Sequence, residues 1–176
     1  MDFAKLAEER YSVRKFSGRP VEREKLDLVL QAGLNAPTAC NNQPQRILIL
    51  DGADDLEKLG ECTPYTFGAP TALLICFDES KSWVRPFDQA KSGLIDASIV
   101  TTQMMLQAAD LGLGTTWVGY FEPVKIKAAF GLPDAFVPAA ILPLGYPAAD
   151  AAKNPLHFKK LPPEEVVFRH DFSRRA

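Results

Sequence analysis

With 176 residues, 47% of them hydrophobic and 24% charged, the chain fits one globular domain that can bury a full core, and disorder is not expected beyond its ends. A formal net charge of −2 provides no broad positive field, which makes nucleic acid and anionic membranes poor partners. Three cysteines without C-x-x-C spacing, only two histidines, and a start (MDFAKLAEER) with neither a basic nor an apolar leader region predict a reduced, cytoplasmic protein without a metal site. No apolar run approaches the roughly 18 residues of a membrane span.

The chain opens with a predicted short helix over 2–10, followed by RYSVRKF, Arg10 to Phe16. On a helix Ser12 would face away from Arg10, whereas in an extended segment residues 10, 12 and 14 share one side. Two guanidinium groups flanking a hydroxyl suit a phosphate. A solvated surface strand with scattered charge gives the same pattern.

A second helix is predicted over 22–35, with Leu26, Val29 and Leu30 on its apolar stripe, and Ala36-Pro37 ends it because a residue before proline leaves the α region. After the polar loop TACNNQPQ, the apolar run 47–50 reads as a strand closed by Asp51-Gly52, and 53–60 as a short helix. Residues 71–77 form a second buried strand. The polar segment that follows carries Trp83, Arg85 and Phe87 and has the character of a lid. Residues 94–111 are apolar on nearly all sides and end at Gly112, which predicts a helix buried in a core or an interface, with Met104 and Met105 as packing. The remaining elements are a strand over 115–120, a helix over 123–130 starting at Pro123, and a strand over 138–144 before Gly145-Tyr146-Pro147. From 148 to 176 the chain reads as an extended tail without its own core. We expect a single domain over 1–176.

Four motifs stand in order along the chain: R-Y-S-V-R-K-F, then A-P-T-A-C-N-N-Q-P (Ala36 to Pro44), then L-G-L-G-T-T-W-V-G-Y-F (Leu111 to Phe121), and finally G-Y-P with H-F-K-K-L-P-P-E-E behind it. On these motifs the chain resembles the nitroreductase family of FMN-dependent oxidoreductases over nearly its whole length. The fold this implies is α+β: a mainly antiparallel central sheet flanked by helices, in a homodimer with the extended C-terminal tail docked on the partner. The cofactor implied is FMN, with NAD(P)H as electron donor.

Residue by residue, the resemblance assigns Arg10, Tyr11, Ser12 and Arg14 to the phosphate and ribityl end of FMN, with Lys159 or Lys160 as a further cation. It assigns Pro37, Thr38, Ala39, Asn41 and Gln43 to a loop beside the flavin, part of which reaches the partner subunit's cofactor. Thr116, Trp117, Val118 and Gly119 fall to the isoalloxazine, where backbone N–H groups stabilise charge on reduced flavin; an ordinary glycine-started strand would also produce that stretch. Trp83, Arg85, Phe87, Tyr120 and Phe121 are candidates for the substrate wall, and aromatic packing accounts for them equally well.

The chain departs from the family pattern at Gln45, where tryptophan is frequent, and at K-L-P-P-E-E, which leaves the lysine register open by one residue. The segment between Phe77 and Gly93 is short. The implied activity is ping-pong hydride transfer from NAD(P)H to FMN and on to an electron-poor acceptor such as a nitroaromatic or quinone, with no side chain required as acid, base or nucleophile. A flavin-delivery protein with little turnover, or a relative performing reductive dehalogenation or enone reduction, has the same motifs.

Overall fold

The computed structural model describes residues 2–172. Its centre is β2 (Thr71–Asp78), buried along its full length. The run TALLICFD has no polar alternation because both faces are covered. Its neighbours are β1 (Gln45–Leu50) and β4 (Phe136–Gly145), and beyond β4 lies the short β3 (Gly114–Thr115), giving the order β1-β2-β4-β3 with every pairing antiparallel.

Alternate side chains of β2 serve two cores. Leu73, Ile75 and Phe77 pack with α2 (Arg23–Leu34) and α4 (Gly93–Asp110), where Leu26, Val29, Val100 and Met104 are buried. Ala72, Leu74 and Cys76 pack on the other side with Leu59 of α3 (Ala53–Cys62) and Ile126 of α5 (Pro123–Phe130). The architecture is therefore helix, sheet, helix. The α2–α4 contact is close because Gly33 offers no Cβ; one placed there would lie 2.8 Å from Met104 Cγ.

The expected elements are present in order, α1 covering Phe3–Glu9, with one correction. The strand expected over 115–120 stops at Thr115, and Val118 alone resumes the pairing, its N–H donating to Ile141 O at 2.9 Å and receiving Ile141 N–H at 3.0 Å. The cause lies across the sheet. The Ile141 N–H points toward Val118, so by alternation position 143 points the same way, and there the residue is proline, which has no N–H to donate. The ladder lapses opposite Pro143, at Thr116 and Trp117.

The last segment is also more ordered than an extended tail. It contains a turn of 3-10 helix at Pro155–Phe158 and a short α6 at Pro163–Val166. Its start is tied to the N-terminal segment: Phe16 bridges Pro147, Ala148 N–H donates to Lys15 O at 3.0 Å, and Lys15 pairs with Asp150.

Candidate functional site

The helix α1 ends at Glu9 because Arg10 takes an extended conformation (φ −59, ψ 141), and the following residues run beside β3. Ser12 bridges Thr115 in parallel, and Val13 N–H donates to Thr115 O at 2.9 Å. Val13 points inward and is 2% exposed. The neighbouring side chains are thereby turned outward, as alternation requires.

Arg10, Tyr11, Ser12 and Arg14 line one wall of a cavity of about 280 Å³; Asn154, Leu156, His157 and Lys160 line the other. No carboxylate is among these residues. The side chains of Arg10 and Lys160 have no hydrogen bond or ion pair among the described residues, and Arg14 reaches only Ser12 O, at 3.4 Å. Cations without counter-charges around one small cavity suit a dianionic group, as a phosphate monoester is. Lys160, and not Lys159, is the lysine that lines it. His157 escaped the sequence reading; the 3-10 turn at Pro155–Phe158 brings it in, and its place beside the two lysines was the available signal.

The Pro37–Gln43 loop lies elsewhere in the chain's fold and does not line this cavity. Cys40, Asn41 and Gln43 adopt positive φ (51°, 54° and 50°), a conformation non-glycine residues take at a cost and which concentrates at functional sites. Thr38 Oγ1 accepts Gln43 N–H at 3.1 Å, and Ala39 N–H donates to Asp96 Oδ1 at 2.9 Å. Asn41 and Gln43 are exposed. Thr116, Trp117, Val118 and Gly119 adjoin the cationic segment through the Ser12–Thr115 bridge. A Cβ on Gly119 would meet nothing nearer than 4.0 Å, so the protein's own packing does not demand glycine there.

The five candidates for the substrate wall separate. Tyr120 and Phe121 line a cavity of about 460 Å³ with Gly119 and the end of α3, Gly60 to Thr63. Trp83, Arg85 and Phe87 are not part of it; they sit on a hairpin in which Val84 bridges Lys91. Phe87 is 94% exposed. Arg85 Nε donates to Asp88 Oδ1 at 2.7 Å, a bond that raises the arginine's pKa and lowers that of the aspartate. Arg85 thus enters the site's surroundings already neutralised.

An apolar groove of about 990 Å³ runs between α1, α2 and α4, lined by Phe3, Leu6, Leu94, Ile95, Ile99 and Leu106 among others. Among the described residues no helix is long and apolar enough to cross a membrane, and no group of three or more His, Cys, Asp or Glu side chains could hold a metal ion.

Comparison with known proteins follows the geometry. The nitroreductase family profile matches residues 7–63 and 62–146. The crystal structure of a nitroreductase family protein from Clostridium difficile 630 superposes with a TM-score of 0.92 at 42% identity, covering 97% of this chain and 99% of that one. A protein of Methanothermobacter thermautotrophicus is 31% identical over 164 residues, which cover 89% of this chain and 83% of the relative. The FMN reductase [NAD(P)H] of Bacillus subtilis is 27% identical over 173 residues, covering 88% and 68%. The chain belongs to the nitroreductase family.

Proposed function

We propose that this chain is an FMN-dependent oxidoreductase that passes hydride from NAD(P)H to an electron-poor small molecule such as a nitroaromatic or a quinone. The observation that carries the reading is the cavity in which Arg10, Ser12, Arg14 and Lys160 converge without a counter-charge, set beside family membership and relatives that bear FMN reductase names. FMN, when bound, supplies the hydride chemistry itself.

The protein's part is to bind, orient and exclude water. Arg10, Ser12, Arg14 and Lys160 hold the phosphate, with Tyr11 and His157 closing the cavity. The 116–119 segment would present backbone to the ring, and Gly119, with nothing nearer than 4.0 Å to an added Cβ, leaves space on its side. Thr38, Asn41 and Gln43 supply polar groups at the ring's edge. Tyr120 and Phe121 form the acceptor side. No side chain among these is required as a proton donor or nucleophile.

A second copy of the chain covers the groove on α4. Leu94 and Ile95 are 55% and 62% exposed, and apolar patches of this extent mark interfaces. The resemblance implies that part of the Pro37–Gln43 loop reaches the partner's cofactor.

Anaerobic titration of the FMN-loaded protein tests the proposal. Bleaching of the flavin by NADH or NADPH, followed by recovery on adding a nitroaromatic, is expected. Flavin that binds but is reduced by neither nucleotide would indicate a delivery protein, and a protein that takes up no FMN would end the proposal.

A further inference from the structure

Asp96 has no part in the chemistry proposed above, yet it is 2% exposed in a helix that is otherwise apolar on that face. Its two carboxyl oxygens serve different elements. Oδ1 accepts Ala39 N–H at 2.9 Å from the Pro37–Gln43 loop, and Oδ2 accepts the Ser92 hydroxyl at 2.7 Å. Ser92 Oγ in turn accepts Trp83 N–H at 3.1 Å, and Ser92 N–H donates to Trp83 O at 2.9 Å. A buried carboxyl therefore stands between the loop and the hairpin that carries Trp83.

The loop needs such an anchor. Three of its residues hold left-handed φ values, which persist only where surrounding contacts fix them. Its internal bonds are short-range, Asn41 N–H to Thr38 O, Asn42 N–H to Ala39 O and Gln43 N–H to Thr38 Oγ1 among them, and it is tied to other elements by the Ala39–Asp96 bond and a bond from Arg46 Nη1 to Gln43 O at 3.1 Å. The start of α4 is itself held close: a Cβ on Gly93 would lie 2.3 Å from Phe77 Cδ2 and 2.4 Å from Ser82 Oγ. Asp96 thus projects from a fixed base. Leu94 and Ile95, in the same turn of the helix, are among the residues that line the groove.

We propose that Asp96 is a positioning residue: it holds the Pro37–Gln43 loop in its left-handed form and couples that loop, through Ser92, to the Trp83 hairpin. The role rests on reading the loop as a wall of the flavin site. Movement of the hairpin by an acceptor, or of the α4 face by a docking partner, then reaches the ring through one carboxyl group. An asparagine offers one acceptor oxygen where the aspartate offers two, so it cannot receive Ala39 N–H and the Ser92 hydroxyl on separate oxygens.

Amide hydrogen exchange on the protein without FMN tests this directly. In D96A the Ala39 amide exchanges at least about tenfold faster than in wild type, the factor that corresponds to losing one buried hydrogen bond. The Trp83 amide, whose acceptor Ser92 Oγ loses its own partner, exchanges faster by a smaller factor, and Val29 and Val100 keep their protection. D96N retains an acceptor for Ala39 and restores that amide, leaving Trp83 fast. When FMN is added, D96A shows a shifted flavin absorbance and a raised KM for the acceptor, and D96N a partial return.

Unchanged protection at Ala39 in D96A overturns the anchor. If D96A does not fold, S92A decides: it keeps the carboxyl and removes the link, so Trp83 exchange rises about tenfold and Ala39 exchange by a smaller factor, and an unaffected Ala39 overturns the coupling. Wild-type protein that takes up no FMN would defeat the proposed function without touching the exchange result, so the two failures are distinct.

Discussion

Gly114 and Val13 are in such close apposition that a Cβ on the glycine would lie 2.6 Å from Val13 Cγ2. This approach lets the cationic segment pair with β3 and turn Arg10, Ser12 and Arg14 to one cavity. Gly114→Ala must push the segment away, and overpacking of this kind costs about 1 to 3 kcal/mol. Chemical denaturation without cofactor should show that loss, and FMN affinity should fall with it.

Gly119→Ala should behave oppositely. With nothing nearer than 4.0 Å to a new Cβ, the stability of the cofactor-free protein should stay within about 0.5 kcal/mol of wild type, as for surface substitutions. FMN binding should still weaken, because the added methyl occupies the space assigned to the ring. Equal loss of stability and affinity would show that the glycine serves the fold instead.

The two late lysines should separate. Lys160→Ala and Arg10→Ala each remove a charge from the cavity and should weaken FMN binding by about 1.5 to 3 kcal/mol, the range for hydrogen bonds to charged groups. Lys159→Ala should be close to neutral. Fluorescence titration with FMN at low and high salt checks both points, since binding built on unpaired cations weakens as salt rises.

Acid stability should depend on Glu22. The Tyr146 hydroxyl, donating to Glu22 Oε2 at 2.7 Å, is the main cause of a carboxyl pKa lowered to about 2; the residue's own backbone N–H and then Arg19 assist, while burial opposes them. A depressed folded-state pKa stabilises the protein above the ordinary glutamate value of 4.5, and that contribution disappears as pH falls toward about 2. Urea denaturation of wild type and Tyr146→Phe should therefore differ near pH 6 by an amount that shrinks across this window. A gap that stays constant down to pH 2 would exclude the Glu22 contact as its source.

Ile95→Lys places a charge on the exposed face of α4. Sedimentation should show a homodimer for wild type and a dimer weakened at least tenfold for the variant, about 1.4 kcal/mol or more. FMN retention should drop in parallel if, as the proposed two-subunit site requires, the loop around Ala39 serves the partner's cofactor. A monomeric wild-type protein that nevertheless retains FMN would remove the two-subunit site.

Element order was legible in the sequence because the apolar runs and helix stripes are local signals: Leu73 to Phe77 and the 94–111 helix needed no partner to be recognised. The interruption at Thr116 and Trp117 was not legible, since its cause is Pro143 on another strand. The shared side of Arg10, Ser12 and Arg14 was readable from alternation, but that pattern fitted a solvated strand equally well until the cavity wall opposite was seen. The choice of Lys160 over Lys159, and the presence of His157, required the turn at Pro155–Phe158. The candidates for the substrate wall do not share one cavity of the chain, because Arg85 is bonded to Asp88 within its own hairpin and Trp83 lies apart from Tyr120 and Phe121. Asp96 left a trace, a single carboxyl inside LIDASIV, whose meaning depended on a loop nearly sixty positions earlier.

The cationic cavity takes one wall from Arg10 to Arg14 and the other from Asn154 to Lys160. The two walls come from segments far apart along the chain, so the cavity exists only once the sheet and the helical layers between them have formed. Closing so long a loop carries a large entropic penalty, which the sheet and both helical layers must meet beforehand. On the function proposed above, a folding intermediate that has built the sheet but not docked the 154–160 segment would hold only one wall of the phosphate cavity.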